Sequence, residues 1–513
     1  MKKYHKLAII LIIGFLAVGS FLVIMVNYDH NAEEYVTSSV LVIEGKRLFE
    51  DFSFRQAPYL PLIYGNIFKL ITPSHYLLTE KFISFIMYLI AALMIYLVSK
   101  KITKDIFFSI SMTCLFSLNK SIVYASASSS NYIMPCALTL LAFYLFCFKS
   151  GNYLKNFLTG LLLAIAAGIK IYHVIAIIPF FFIILFFPKE YNFRERFKKI
   201  LLPFSGGVII GFTPLFYYML KKFQVFYFST VQYNFLGMLY RKSIGLFPTS
   251  KIYFLRRLFT YPDFIAIFII LFTLIIVYIF FLKKNIKEKI FCHREKLLLL
   301  LLSVISFAVI ISAPYLYDHY LLFPLPFFIL LSAYLIAELD HKNKFFIKCL
   351  MIPALIIALS NTGYTYIEYA YKYYNPETWI GNKVHKIAFD IKAEFEKNGN
   401  NGKIATLTPV FVLDSGMEIY DELVGPFGYR MADELTEEER KKYILTSQKT
   451  IYSLLEKDPP AAIFTGFEYK LEQPLLEFAA DNNYKKTDKH FGAGIYPGGG
   501  DALPSGGTLY LRK

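Results

Sequence analysis

The sequence predicts a mainly α-helical, polytopic membrane protein with about eleven transmembrane helices and a small extracytoplasmic α/β domain at its C-terminus. Three observations support this fold class. The 513 residues are 56% hydrophobic and 18% charged, whereas soluble globular domains carry about 25% charged residues. The mean hydropathy is +0.47. Apolar runs of spanning length recur as far as residue 361, after which the composition turns polar. A soluble enzyme is therefore excluded.

The predicted spans approach the length of about 20 residues that a helix needs to cross the hydrocarbon core. They cover residues 6–27, 79–99, 106–119, 131–148, 155–169, 171–187, 200–219, 263–283, 296–313, 320–338 and 345–361. The first run has the flanking charges of a signal peptide, but it is long and lacks a clear A-x-A cleavage site. We therefore interpret it as an uncleaved first helix.

Connectors rich in Lys and Arg alternate along the chain and set its orientation. They are MKKYHK, KKITKD, KSGNYLKN, PKEYNFRERFKK, KKNIKEKIFCHREK and ELDHKNKFFIK. Because such loops stay in the cytoplasm, the N-terminus is predicted inside and, after an odd number of crossings, the C-terminal segment outside. The net charge of +16 is thereby attributed to cytoplasmic loops, and nucleic-acid binding is discounted.

Two domains are predicted. Residues 1–361 form the membrane domain and include two long outer loops, 28–78 and 221–262, of a length that is usually functional. Residues 362–513 form the α/β domain, with helices at 379–398, 434–455 and 470–483 and strands at 403–413, 460–466 and 506–512. The stretch GAGIYPGGGDALPSGG near its end predicts a flexible loop.

Three carboxylates open the first outer loop, directly after the first helix. They are Asp29, Glu33 and Glu34, and the segment from Glu34 to Gly45 can form a helix along the interface. A carboxylate in this position can act as a general base on a hydroxyl or amine if partial burial tunes its pKa. The alternative explanation is that these are solvated charges favoured by the dipole of a helix start.

Several motifs, taken in order, resemble a known family. The acids and E-Y after the first helix are followed by Gly45, FEDF and QAPYLPLIY, and later by AAGIKIYH and PYLYDHYLLFPLPFFILL. This order is similar to that of the polyprenol-phosphate-sugar-dependent GT-C glycosyltransferases, nearest to the protein O-mannosyltransferase and lipid A aminoarabinose transferase branches. The resemblance implies a GT-C fold and inverting transfer of a hexosyl or pentosyl group from a polyprenyl-phosphate donor in the plasma membrane. The implied partners are this donor, membrane lipid, and an acceptor glycan, lipid or protein.

One position departs from the family pattern. Many relatives carry D-E-x-x-Y at the start of this loop, with the aspartate as the catalytic residue. Counting back from Tyr35, the corresponding residue is Asn31, which cannot act as a base. Asp29, Glu34 and Glu33 are therefore the candidate bases of this sequence.

Departure of polyprenyl phosphate leaves negative charge that fixed cations must stabilise. The second outer loop contains seven cations and no Asp or Glu, against the usual charge bias of outer loops. Its candidates for binding the donor phosphate are Arg241, Lys242, Arg256 and Arg257, and Arg suits phosphate by its bidentate geometry. The alternatives are attraction to anionic headgroups and a topology in which this loop is cytoplasmic.

Arg55, Lys170 and His319 are further candidates for contacts with donor phosphate or sugar. Each also has a structural explanation: an interfacial anchor, a snorkelling lysine, and a structural histidine at a helix mouth. The sequence contains no H-x-x-x-H, H-E-x-x-H or paired C-x-x-C, so spacing indicates no dedicated metal site and no certain cofactor. An inverting GT-C enzyme could still use a divalent cation through its carboxylates.

A transporter or flippase of a lipid-linked sugar is the alternative function, and a non-catalytic membrane scaffold is a third. A transporter is expected to show two related halves, broken helices and ionisable groups near the bilayer midplane. Here the ionisable residues crowd the predicted outer rim and the halves do not resemble each other. The sequence therefore favours the transferase.

Overall fold

The structure, a computed structural model, describes residues 2–71, 74–148, 152–187, 192–281, 294–495 and 505–513. The chain divides into two compact units, each assembled from three segments. The first unit comprises Met1–Ile24, Ile83–Thr213 and Pro248–Tyr374, and the second comprises Met25–Phe82, Pro214–Phe247 and Asn375–Lys513.

The helices dominate both units. In the N-terminal half they are α1 (Lys2–Val26), α2 (His30–Ile43), α3 (Tyr59–Ile71), α4 (Tyr76–Thr103), α5 (Ile106–Ser117), α6 (Lys120–Ser128), α7 (Ser130–Phe148), α8 (Tyr153–Ile169), α9 (Ile177–Phe186), α10 (Phe193–Arg196), α11 (Leu202–Gly211), α12 (Thr213–Lys221), α13 (Phe223–Tyr227), α14 (Tyr233–Ser243), α15 (Lys251–Thr260) and α16 (Pro262–Phe281). Next come α17 (Arg294–Ser312), α18 (Leu325–Ala337), α19 (His341–Ala358) and α20 (Tyr364–Lys372). Short 3-10 helices at Ile171–Ala176 and Asp318–Leu322 and π-helical turns at Phe197–Leu201, Phe228–Gln232 and Leu359–Gly363 join some of them.

Among the described residues, five helical stretches are long and apolar enough to cross a membrane: Ile9–Val26, Tyr76–Thr103, Ser130–Phe148, Arg294–Ser312 and His341–Lys372. The count rises to eight if each of three bent helix pairs is one span. Shorter apolar helices occur at Tyr59–Ile71, Tyr153–Ile169, Ile171–Phe186 and Leu325–Ala337. The predicted polytopic helical class is confirmed, and the number of eleven spans stays a prediction.

Glycines set the close packing of α8 against α11 in the first unit. A Cβ atom at Gly160 would lie 2.1 Å from the carbonyl oxygen of Phe204, and one at Gly207 would lie 2.0 Å from that of Phe157. No other residue allows the two backbones to approach so closely, which is a common device of helix pairs in membranes.

The C-terminal part of the second unit carries the α/β structure. Its helices are α21 (Ile380–Lys397), α22 (Val410–Leu413), α23 (Pro426–Met431), α24 (Glu437–Tyr443), α25 (Ile451–Lys457) and α26 (Gln473–Asp481), with 3-10 turns at Pro376–Thr378 and Ala432–Glu434. The strands β1 (Ile404–Ala405), β2 (Ala462–Thr465), β3 (Lys485–Phe491) and β4 (Gly507–Leu511) form one sheet in the order β1-β2-β4-β3. The β1–β2 pair is parallel, and β4 is antiparallel to both of its neighbours.

Four of the six predicted elements of this domain are confirmed, namely those at 379–398, 460–466, 470–483 and 506–512. The strand predicted at 403–413 is wrong beyond residue 405, because the chain turns after β1 and forms α22 from Val410. The helix predicted at 434–455 is also wrong as one element. The observed helix α24 is capped at its C-terminus by Ile444, whose φ of +55° is left-handed. The chain becomes helical again only at α25. The predicted Gly/Pro-rich loop lies partly outside the described residues.

Candidate active site

Asp29 starts the helix that follows the first membrane helix. It is the N-cap of α2, and its Oδ1 accepts hydrogen bonds from the backbone N–H and the side-chain amide of Asn31, each over 2.6 Å. N-cap carboxylates stabilise a helix start by accepting from its free N–H groups. Asp29 is half-buried, so the carboxylate is both held in place and within reach of a ligand. The helix predicted from residue 34 is confirmed as the later part of α2.

Glu33 lies on α2 with its side chain fully buried. Its Oε1 accepts a hydrogen bond of 2.6 Å from the phenol of Tyr28. Burial, and then the neighbouring Glu33 carboxylate, raise the pKa of Tyr28 well above its ordinary value. The phenol therefore stays protonated and donates to Glu33.

Glu34 forms an ion pair with Arg55 of the same loop. Arg55 Nε donates to Glu34 Oε2, and the backbone N–H of Arg55 donates to Oε1 over 3.2 Å. Only 7% of the Glu34 side chain and 12% of the Arg55 side chain are exposed, so the pair is screened little by solvent. Burial alone would lower the pKa of Arg55, but Glu34 outweighs it and the pKa is raised.

Two aromatic rings flank the guanidinium of Arg55. It lies 3.4 Å from the ring centre of Phe427 and 5.8 Å from that of Tyr233, both within cation–π range. Tyr233, at the start of α14, donates from its hydroxyl to the carbonyl of Phe427 over 2.8 Å, and burial raises its pKa to about 12. Arg55 Nη2 is buried without a hydrogen-bond partner among the described residues. An anion could accept from this N–H group.

A pocket lies beside this ion pair, and all of its lining comes from the second unit. Its walls include Glu34, Arg55, Phe228, Tyr233 and Asp421. Thus the first outer loop, the second outer loop and the C-terminal segment each contribute side chains. The opposite charges of the wall suit a polar ligand better than a lipid chain.

Two cations predicted in the second outer loop do not line this pocket. Arg241 and Lys242 lie in the last turn of α14, where basic residues are favoured by the helix dipole. Arg241 is half-buried and Lys242 is exposed. Their role in phosphate binding stays a prediction.

Lys170 and His319 meet at one aromatic ring of the first unit. Lys170 Nζ lies 4.7 Å from the ring centre of Tyr132, and the imidazole of His319 lies 4.5 Å from the same centre. Tyr317 stacks on His319 at 5.2 Å with an interplanar angle of 5°. Two sequence-predicted residues, far apart in the chain, are thus neighbours, and Tyr132 is the residue between them that the sequence analysis missed.

The adjacent arginines Arg256 and Arg257 occupy different environments on α15. Arg257 donates from Nη2 to Asp318 Oδ2 and lies 4.6 Å from the ring centre of Tyr261, whereas Arg256 is exposed. Arg257 Nε and Asp318 Oδ1 are buried without hydrogen-bond partners among the described residues. Because Asp318 directly precedes His319, Arg257 belongs to the neighbourhood of Tyr132 and His319. Among the residues that the structure describes, Arg256 makes no such contact.

The predicted residues therefore form two clusters. The second-unit cluster contains Asp29, Glu33, Glu34 and Arg55, and the first-unit cluster contains Lys170, Arg257 and His319. Four aromatic residues contact the predicted residues but were not themselves predicted from the sequence: Tyr28, Tyr132, Tyr233 and Phe427. They are four of many aromatic residues in a chain with 18% Phe, Tyr and Trp, so no sequence signal separated them from the remainder.

No protein-family model and no curated protein matches the chain. Solved structures do. ArnT from Cupriavidus metallidurans in the apo state has a TM-score of 0.62 and 8% identity, covering 99% of this chain and 98% of that chain. The same protein bound to undecaprenyl phosphate has a TM-score of 0.61 and 8% identity, covering 98% and 97%. The oligosaccharyltransferase AglB from Archaeoglobus fulgidus, in complex with an inhibitory peptide and a dolichol-phosphate, has a TM-score of 0.45 and 12% identity, covering 94% and 73%. The chain thus has, over nearly its whole length, the polytopic helical fold of ArnT.

Proposed function

We propose that this protein is an integral membrane glycosyltransferase. It moves a hexosyl or pentosyl group from a polyprenyl-phosphate donor to an acceptor glycan, lipid or protein, with inversion at the anomeric carbon. The observation that carries the proposal is the match of fold over 98% of the chain to an ArnT structure that holds undecaprenyl phosphate. The motif order of the sequence supports the same class independently.

Asp29 is the base in this proposal. Glu34 is neutralised by Arg55, and Glu33 is fully buried against Tyr28. In Asp29, both hydrogen bonds from described residues go to Oδ1, so Oδ2 has lone pairs available for a proton. Asn31, at the position where relatives carry the catalytic aspartate, orients this carboxylate by two hydrogen bonds.

Arg55 of the second unit and Arg257 of the first unit are two separate candidates for binding phosphate or sugar oxygens of the donor. Both keep a buried N–H group without an acceptor among the described residues, and such a group costs about 1–3 kcal/mol unless a ligand satisfies it. Lys170 and His319 both lie close to the ring of Tyr132. They add positive charge or a hydrogen-bond donor near Asp318, the ion-pair partner of Arg257. Cations placed in this way stabilise the charge that develops on the leaving phosphate.

The reaction needs only these steps. Asp29 removes the proton of the acceptor nucleophile, the nucleophile attacks the anomeric carbon, and the bond to the phosphate oxygen breaks as polyprenyl phosphate leaves. A general base typically increases the reaction rate by a factor of about 10²–10⁴. The donor stays in the plasma membrane, with residues 1–361 as the membrane domain and residues 362–513 on the extracytoplasmic side.

The test uses the purified full chain in lipid nanodiscs with a panel of polyprenyl-phosphate sugars. We expect acceptor-dependent release of polyprenyl phosphate with at least one donor. A flippase would instead move the lipid-linked sugar between the leaflets of a vesicle and release no polyprenyl phosphate. Translocation without release would therefore replace the transferase by the alternative function.

A further inference from the structure

Three side chains from different parts of the chain converge in the second unit, and none of them is among the residues discussed above. They are His75, in the turn before α4, His385 on α21, and Asp414, directly after α22. Each offers one nitrogen or oxygen atom, and these atoms all lie within 4.8 Å of one another. His385 Nδ1 and Asp414 Oδ2 are 3.0 Å apart, and the rings of His75 and His385 stack with centres 3.5 Å apart.

The position of His75 is held by the backbone around it. Its φ of +61° is left-handed, a conformation that costs an L-residue about 1–2 kcal/mol. The next N–H group, that of Tyr76, donates to Asp414 Oδ1 over 3.1 Å. This hydrogen bond ties the turn to the buried aspartate, and the unusual backbone then directs the imidazole of His75 onto that of His385.

One nitrogen of this cluster has no hydrogen-bond partner within the described part of the chain. His75 Nδ1 is buried and has no hydrogen bond among the described residues, although buried polar atoms in folded proteins are normally satisfied. Asp414 is 5% exposed, so its carboxylate is also removed from bulk water. A ligand that accepts electron pairs from both imidazoles and from the carboxylate would satisfy all three groups at once.

We propose that His75, His385 and Asp414 bind a Zn²⁺ ion. Two imidazole nitrogens and one carboxylate oxygen are typical zinc ligands, at about 2.0–2.2 Å from the metal, and three protein ligands leave the fourth tetrahedral position to water. Such ligand atoms lie about 3.4 Å apart in a tetrahedron, so the side chains close around the ion by rotation. The ion links the end of the first outer loop to α21 and to the segment after α22.

The sequence spacing could not disclose this site, since His75 precedes His385 and Asp414 by hundreds of residues and no short histidine motif exists. The inference is also independent of sugar transfer. Metal binding is measured directly, so an inactive protein that binds Zn²⁺ would refute the proposed function and leave this proposal intact.

The test is Zn²⁺ binding by the tag-free full chain, because a polyhistidine tag would itself bind the metal. After EDTA treatment and reloading with ZnCl₂, we expect a single tightly bound Zn²⁺ per chain, with nitrogen and oxygen ligands in its X-ray absorption spectrum. His75→Ala, His385→Ala and Asp414→Asn should each weaken binding at least 100-fold, since even the loss of an outer-shell partner costs about 10–100-fold. His490→Ala is the matched control, because His490 is an exposed residue of β3 in the same unit.

Thermal unfolding separates a lost ligand from a damaged fold. His75→Ala leaves the His385–Asp414 hydrogen bond in place, so the variant is expected to fold. Zn²⁺ should raise the Tm of the unsubstituted protein and of His490→Ala, but not that of His75→Ala. Absence of stoichiometric Zn²⁺, or equal binding by His75→Ala and the unsubstituted protein, would overturn the proposal.

Discussion

The side-chain amide of Asn31 donates a hydrogen bond of 2.6 Å to Oδ1 of Asp29 within the first turn of α2. The GT-C transferases that this loop resembles carry the catalytic aspartate at the position of Asn31. Here the amide orients a carboxylate two residues earlier. A carboxylate is therefore available at the start of α2, two residues before the position of Asn31.

Asp29→Asn should lower the rate of sugar transfer by at least about 100-fold, since a general base contributes about 10²–10⁴. The substitution is well matched, because Asn caps a helix as well as Asp does and the fold of α2 is preserved. Asn31→Ala should have a smaller effect, because the carboxylate remains. Single-turnover release of polyprenyl phosphate measures both. Full activity of Asp29→Ala, Glu33→Ala and Glu34→Ala would remove all three from the role of base.

Variants of the Glu34–Arg55 pair are predicted to affect the stability of the fold and the binding of the donor differently. Arg55→Met alone should destabilise the protein by about 3–5 kcal/mol, because it leaves a buried carboxylate without a counter-charge. The double variant Glu34→Gln, Arg55→Met should recover most of that loss, since no unpaired charge remains. Denaturation and donor KM, measured on the same samples, separate the two effects. If the double variant also recovers donor affinity, Arg55 has no role in binding.

The neighbours Arg256 and Arg257 provide a matched pair of variants. Arg257→Ala should raise the Kd for undecaprenyl phosphate by about 10- to 100-fold, as expected for the loss of a hydrogen bond to a charged group worth about 1.5–3 kcal/mol. Arg256→Ala should change it little, because that side chain is exposed. Equal effects of both substitutions would indicate attraction to anionic headgroups instead of a specific phosphate contact.

The sequence predicted those elements whose pattern is local. The amphipathic helix α21 buries Val384, Ile387 and Ile391, at the spacing of one helix face. In contrast, all residues from Ile404 to Ser415 are buried, and a segment that is buried on every side has no periodicity that separates strand from helix. Strand β3, KKTDKHF, was missed because it is polar and lies at the edge of the sheet.

The candidate site was predictable in its residue types but not in its contacts. Acids after the first helix and arginines in outer loops follow from local composition. The pairings of Glu34 with Arg55 and of Arg257 with Asp318 depend on tertiary folding, since the partners are 21 and 61 residues apart in sequence. The same holds for Tyr132, which joins Lys170 and His319 across three separate segments of the chain.

Glu472 predicts how the stability of the second unit depends on pH. Burial raises the pKa of its carboxyl to about 8, and Oε2 accepts from the N–H of Gly466 over 2.7 Å. The unfolded chain releases this proton near pH 4.3, whereas the folded protein keeps it until about pH 8. Between these values the folded state binds more protons, so the contribution of Glu472 to stability falls as the pH rises.

Glu472→Gln should therefore gain in Tm relative to the unsubstituted protein as the pH is raised from 5 to 8.5. The amide keeps an oxygen that can accept from Gly466 but carries no titrating proton. Thermal unfolding followed by circular dichroism at four or five pH values would measure the difference. A gap in Tm that is constant across this range would show that Glu472 does not titrate as predicted. Glu477→Gln on the exposed side of α26 is the control.

The proposed transfer requires the first outer loop, the second outer loop and the C-terminal segment to face the same side of the membrane. Single cysteines at the exposed positions Glu44, Ser243 and Lys441 test this in a background in which the five native cysteines are replaced by serine. We expect a membrane-impermeant maleimide to label all three from outside intact cells, because the Lys- and Arg-rich connectors assign these segments to the outer side. A cysteine at Lys155, in the predicted cytoplasmic connector KSGNYLKN, should react only after permeabilisation. If Glu44→Cys and Ser243→Cys react from opposite sides, the carboxylates after α1 and the cations of the second outer loop cannot serve one reaction, and the transferase mechanism fails.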